Sequence, residues 1–401
     1  MALYEISPRQ LGSRTGAPGA PLARPAELIC FALVVAHAVY LVTSYLQGVW
    51  LVAPDGTGIA SDFVNVWAAG RLALEGNPAA VYDWHLHKAM EEIAVGRAFD
   101  GYFGWHYPPP FLFAAALLAL MPYAIAYAFW VFLTFPVYLA AVRGIVGDRS
   151  GYLLAAAFPA VLSNFVVGQN GFLTAGLLGG ALLSIEKRPI VAGIFLGALT
   201  YKPHLGLLFP IVLAVSGHWR VFIVASLVAG ALAVGSWLTF GAATWEAFFY
   251  SIGHTSQAFL SDGWADWSKL QTMFGLVRTL GGPEHLAWSA QIAVALAAAL
   301  AISILWRGNA AYDIKAAALG AGAMLATPYL YTYDLVVLAV PLAFLWRAGR
   351  ANGFLTHEMT GIGIACLLIL IFPFVKAPVG LAAVLVVAGL IARRAIAASG
   401  K

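Results

Sequence analysis

The chain has 401 residues, 62% of them hydrophobic and only 10% charged, with 22 Lys and Arg against 18 Asp and Glu. Soluble globular proteins are about 45–50% apolar and about 25% charged, so this balance excludes a nucleic-acid module, a disordered chain and a cytosolic enzyme. It predicts an all-α polytopic membrane protein. Cys30 and Cys366 both lie in apolar runs, which leaves no disulfide framework, metal knuckle or redox motif.

In chain order, residues 1–26 read as a short cytoplasmic tail rich in Pro, Gly and Arg. A bilayer core of about 30 Å needs roughly 20 apolar residues per helix. The first such run, 27–53, is too long for a signal-peptide core, has no convincing cleavage site and reads as a retained span. A polar stretch, 54–110, follows. Further apolar runs lie at 111–142, 152–167, 171–185, 189–201, 204–217, 221–240, 286–306, 313–327, 334–346, 360–374 and 377–392. The expectation is about twelve spans in one domain, 27–394, closed by a cytoplasmic tail at 395–401.

The run 111–142 would make a helix of about 48 Å, longer than one crossing needs. Pro122 either kinks it or splits it. With one crossing, fifteen of the 22 basic residues fall on the side of the two termini and seven on the other; splitting the run inverts this. Lys and Arg accumulate in short cytoplasmic loops, so a single kinked crossing is predicted, with both termini inside. Twelve of the 18 acidic residues then lie outside, as do the long loops 54–110 and 241–285, the first with amphipathic helices. No Walker or dinucleotide glycine pattern is present, and a protein with its polar chemistry outside is poorly placed to use a cytosolic nucleotide sugar.

Five polar clusters mark the outer face: Ser61-Asp62-Phe63, Trp105 to Pro110, Gly168-Gln169-Asn170-Gly171, Tyr201-Lys202-Pro203-His204 and Thr327 to Asp334. The spans beside the last three are short, so their turns should sit below the outer surface, inside the bundle. Irregular backbone at that depth is tolerated where protein buries it or where it lines a wet cavity. Asp62 suits a helix N-cap or a catalytic acid, and Asp334 a cap or a site acid. Lys202 suits a snorkelling residue or a phosphate contact. Gln169 and Asn170 suit a polar turn or a binding site. His85 and His87 sit in an amphipathic stretch beside Lys88, Glu91 and Glu92 that reads as solvated. The nine histidines show no zinc-like spacing. Asp62, Asp334 and the acids of 241–285 leave a divalent metal held by carboxylates open, with no spacing signal for it; no other cofactor is indicated.

These motifs carry a resemblance. Asp62-Phe63 leads into Trp67-Ala68-Ala69-Gly70-Arg71 and on to Glu75-Gly76-Asn77-Pro78, followed by Tyr82-Asp83, Tyr107-Pro108-Pro109, Gly168-Gln169-Asn170, Lys202-Pro203-His204 and Thr327-Pro328-Tyr329. In this order and spacing, over about residues 27–345, the series resembles glycosyltransferase family 87, which includes polyprenyl-phosphate-mannose-dependent mannosyltransferases. The family is similar to the C-type membrane glycosyltransferases (GT-C). The resemblance implies a GT-C-like bundle that takes a sugar, mannose above all, from a polyprenyl-phosphate donor on the extracytoplasmic side of a bacterial inner membrane. It implies transfer to a lipid or glycan acceptor with inversion. Asp62 matches the family's general base. Lys202 and His204, with Gln169, Asn170, Tyr107, Tyr333 and Asp334, become the candidate donor-phosphate and substrate contacts. The family often carries His in the motif that here ends in Tyr333-Asp334. Two readings from other classes compete: a lipid or sugar transporter or flippase, and a non-catalytic assembly partner. The runs show no convincing internal repeat and almost no mid-span charge, which disfavours a transporter.

Overall fold

The computed structural model describes residues 24–264, 266–375 and 377–399; most of the tail expected at 1–26 lies outside them. The regular structure of the described residues is helical, apart from one isolated antiparallel bridge, Val52 to Gly58. The first span, α1 (Arg24–Leu46), ends before the expected residue 53. A turn at Gln47-Gly48 stops it, and the chain doubles back through the bridge toward Asp62. Then come α2 (Phe63–Leu74) and α3 (Trp84–Val95). Asp83 caps α3 by accepting from His85 N and Leu86 N at 2.9 and 3.0 Å, which satisfies two of the free amides at a helix start.

The run 111–142 resolves into α4 (Leu112–Leu118) and α5 (Tyr123–Val146). Pro122 does not kink a continuous helix. It stands immediately before α5, where its missing N–H costs no hydrogen bond. At seven residues α4 is too short to cross; it packs on α2, and α5 alone has the length of a span.

Next, α6 (Ser150–Ala156) and α7 (Ala160–Val167) are bent by 61° at a break ending in Pro159. Then follow α8 (Gly171–Ser184), α9 (Pro189–Ala198), α10 (Leu208–Val215), α11 (Trp219–Phe240) and α12 (Ala242–Ser256). The chain closes with α13 (Met273–Thr279), α14 (Glu284–Arg307), α15 (Tyr312–Ala326), α16 (Ala339–Asn352), α17 (Glu358–Ile371) and α18 (Val379–Ser399). Among the described residues, six helices are long and apolar enough to cross a membrane, seven if the bent pair counts as one span. Other apolar runs are shorter helices such as α8, α9 with its final turn, and α10 with its first.

The bundle has a shell and a centre. In α1, α11 and α14 most side chains face outward, whereas the segment 332–352 is mostly buried. Around it pack α8, with Phe172, Leu178 and Leu182 fully buried, and α15 through an Ala/Gly-rich stretch from Ala316 to Ala323. Small residues let helix backbones approach closely where lipid gives no hydrophobic drive between helices.

Candidate active site

Three helix junctions meet at one end of the bundle: the start of α2, the elbow between α7 and α8, and the turn after α9. Asp62 precedes α2, yet its side chain makes no capping hydrogen bond. The capping alternative therefore does not account for its carboxylate, whose Oδ2 instead accepts from Gln169 Nε2 at 3.3 Å. Gln169 Oε1 accepts the Tyr107 hydroxyl at 3.0 Å. One chain of donors thus ties residues from three sequence clusters together. The elbow holds Gln169 there because Gly168 adopts φ +67°, and a Cβ at that position would meet Phe63 and Tyr127 at 2.7–2.8 Å. Only glycine allows both the left-handed backbone and the contact.

Asn170 lies beside the Tyr107 hydroxyl, but its amide oxygen and nitrogen are buried with no hydrogen-bond partner of good geometry. Buried polar groups are normally paired, so this amide is available to a ligand or water. Its backbone carbonyl accepts Thr174 Oγ1 at 2.8 Å, and that hydroxyl lies 2.6 Å from the Tyr201 hydroxyl.

Lys202 sits where Pro203 stops the turn that follows α9. It is only 4% exposed, and Nζ donates to Asp334 Oδ1 at 2.5 Å. Asp334 Oδ2 also accepts Tyr331 N at 3.2 Å. Asp334 is thus not the N-cap, which is Tyr331; as the third residue of the turn 332–338 it accepts from the Tyr331 backbone and holds the Lys202 ammonium. The Tyr333 ring lies 5.3 Å from Lys202 Nζ, and Asn164 Nδ2 binds the Tyr333 carbonyl at 2.7 Å. From the opposite side Gln271 N donates to Leu330 O at 2.7 Å, and Gln291 Nε2 to Thr327 O at 3.2 Å. Gln271 of the segment 241–285 and Gln291 of α14 thereby pin the 327–334 turn. His204 faces the Tyr329 ring at 6.5 Å and joins neither polar group by a hydrogen bond among the described residues.

Gln169, Asn170, Lys202 and Asp334 are buried, while Asp62, His204, Tyr331 and Tyr333 stay partly exposed. The site is a buried polar floor with a half-open rim. Burial pushes the Asp62 carboxyl up to about 6, against the Gln169 hydrogen bond and the charges of Lys269 and Lys202, with Asp334 adding to the rise. A carboxylate in that range is mostly ionised at pH 7 and still has a useful affinity for a proton. Burial likewise holds the Tyr107 phenol above its ordinary range, so it remains a neutral donor.

Sequence reasoning missed two features. Lys269, an exposed cation in a loop that also carries Glu246, Asp262, Asp266 and Glu284, is the strongest basic influence on Asp62. The stretch read as solvated is only half so. His85 is exposed, but His87 and Glu91 are fully buried, 3.7 Å apart. Burial drives His87 down to about 3 and Glu91 up to about 8, so both are neutral near pH 7 and the contact is not an ion pair.

An ionisable acid thus stands on the rim of a polar floor in a bundle of apolar helices of membrane-spanning length. A family model described as glycosyltransferase family 87 matches residues 105–328. That is more than half of the chain, and the protein belongs to this family: it is a membrane glycosyltransferase. No curated protein and no solved structure matches it. The matched segment contains Tyr107, Gln169, Asn170, Lys202, His204 and Lys269. Asp62, Tyr333 and Asp334 lie outside it and reach the same site only through the fold.

Proposed function

We propose that the protein is an inverting hexosyltransferase of GT-C type. It moves a hexose, mannose by the family resemblance, from a polyprenyl-phosphate donor to a lipid or glycan acceptor on the extracytoplasmic face of a bacterial inner membrane. The carrying observation is Asp62: partly exposed, released from capping, oriented by Gln169 and raised to about 6. In the reaction the acceptor oxygen attacks the anomeric carbon as the Asp62 carboxylate takes the hydroxyl proton. The bond from that carbon to the phosphate oxygen breaks on the opposite face, and the electron pair leaves with the polyprenyl phosphate. Attack and departure on opposite faces invert the centre. General-base help of this kind contributes about 10²–10⁴-fold.

The departing phosphate gains charge and needs fixed donors. Lys202, held against the Tyr333 ring by Asp334, and the unpartnered Asn170 amide form the proposed phosphate side of the site. His204 stands near Lys202 and Asp334, and Lys269 near Asp62. An activated donor needs no ATP, and its lipid tail can lie among the outward-facing helices. The chemical test is purified protein with a panel of polyprenyl-phosphate sugars, scored for release of polyprenyl phosphate. Release that requires an acceptor supports the reading, and no release with any donor overturns it. Sidedness follows from labelling cysteine-free protein from outside: Lys88→Cys or Lys269→Cys should react and Lys187→Cys should not.

A further inference from the structure

Away from the site, at the other end of the bundle, α9 and α11 begin side by side. Deeper in, Gly193 and Gly197 press on Val224 and Val228 so closely that a Cβ on either glycine would come within 2.6 or 2.5 Å of a valine Cβ. Beside this contact, at the helix starts, lies a groove of about 660 Å³ lined by Arg188, Pro189, Ile190, Val191, Arg220, Ile223 and Val224. Ile190 and Ile223 are 62% and 53% exposed, as a surface facing acyl chains would be. At this same end Arg347, Arg350 and Arg394 are matched by Asp313, Asp148 and Glu358. Arg188 and Arg220 have no carboxylate within salt-bridge distance among the described residues. An adjoining polar cavity of about 450 Å³, lined by Glu186, Lys187, Asp313 and Arg347, shares Arg188 with the groove, so Arg188 stands between the two.

We propose that this groove seats a phospholipid with an anionic headgroup, its phosphodiester between the two guanidinium groups and the start of its chains along the aliphatic walls. Two unpaired planar cations suit a phosphodiester better than they suit water. Aliphatic walls of this extent offer nothing to a free phosphate ion and a matched surface to an acyl chain. The parallel helix starts add partial positive charge in the same place. The inference is independent of the glycosyl-transfer reading. It also has a structural consequence, since α9 carries Lys202 beyond its far end and the bound lipid would set α9 against α11.

The test is native mass spectrometry of the whole detergent-solubilised protein, titrated with phosphatidylglycerol and with phosphatidylcholine of the same chains. Each arginine near the headgroup should favour the anionic lipid roughly fivefold, about thirtyfold together. The double variant Arg188→Gln/Arg220→Gln should bring the preference close to one, while Arg307→Gln, which does not line the groove, should leave it intact. Ile223→Trp fills the groove, keeps both arginines and should weaken both lipids; if the double variant does not fold, this variant decides. Equal binding of the two lipids by the wild type, an unchanged preference in the double variant or unchanged affinity in Ile223→Trp overturns the proposal. So does displacement of phosphatidylglycerol by inorganic phosphate, which would mark a site for a free anion.

Discussion

The two ends of the bundle treat charge differently. At one end Arg347, Arg350 and Arg394 each close on a carboxylate from a different helix junction, and Arg347 and Arg394 also bind backbone carbonyls. These groups hold α5, α15, α16, α17 and α18 together, and little of their bonding capacity is left over. At the other end Asp62 has a single amide partner and the Asn170 amide has none. Satisfied polar groups staple structure, whereas unsatisfied buried ones carry a cost that a fold keeps when a ligand relieves it. The difference separates the Arg–carboxylate staples from the Asp62 and Asn170 side chains, whose bonding capacity is left open.

The contrast breaks if substitutions at the two ends have similar consequences. The largest effect is expected for Asp62→Asn, which keeps the shape and removes the base: transfer at saturating donor should fall by about 10²–10⁴-fold. Its melting temperature should not fall, because no capping bond is lost. Near wild-type transfer would remove Asp62 from the mechanism and make Asp334 the next carboxylate to test. At the stapled end Arg394→Met strands the buried Glu358 carboxylate, and truncating one partner of such a pair costs about 3–5 kcal/mol. Equilibrium unfolding in detergent measures that loss, while turnover per folded molecule should stay normal.

Lys202→Met lies between these extremes, since Lys202 is both paired and proposed to face phosphate. Removing a charge-assisted hydrogen bond of about 1.5–3 kcal/mol should lower turnover or donor affinity roughly ten- to a hundredfold. A stability loss with unchanged kinetics would move Lys202 to the structural side. The finest distinction comes from pH. The wild-type rate should fall as pH drops through about 6, because the base must be ionised to accept a proton. Gln169→Leu removes the hydrogen bond that favours the ionised form, so the midpoint should rise by less than about one pH unit and the rate at pH 7 drop by less than about twofold. A midpoint that stays in place would mean Gln169 does not set Asp62's proton affinity.

Much of this was legible in the chain. Composition alone made it a membrane protein, because an apolar surplus of this size has no soluble solution. The apolar runs anticipated where most helices lie, and glycine or proline between polar residues marked the turns at Gly168, Pro203 and Pro328. Lys202 and Gln169 stood out because a polar group beside a helix break is costly unless it is used.

What the sequence determined by itself is local: hydropathy over a window, helix-breaking residues and the sign of charge along the chain, each settled by neighbours a few positions away. The tertiary structure decided the rest. Pro122 begins a helix rather than bending one because α4 finds a surface to pack on in α2. Asp62 is a rim acid rather than a cap because Gln169, 107 residues away, reaches it. Lys202 is neither snorkelling nor alone because Asp334, 132 residues on, meets it. His87 and Glu91 are buried although their stretch reads as solvated, since α2 and the 99–107 loop cover that face of α3. Each outcome depends on which distant segment arrives at a side chain, and only the path of the whole chain supplies that.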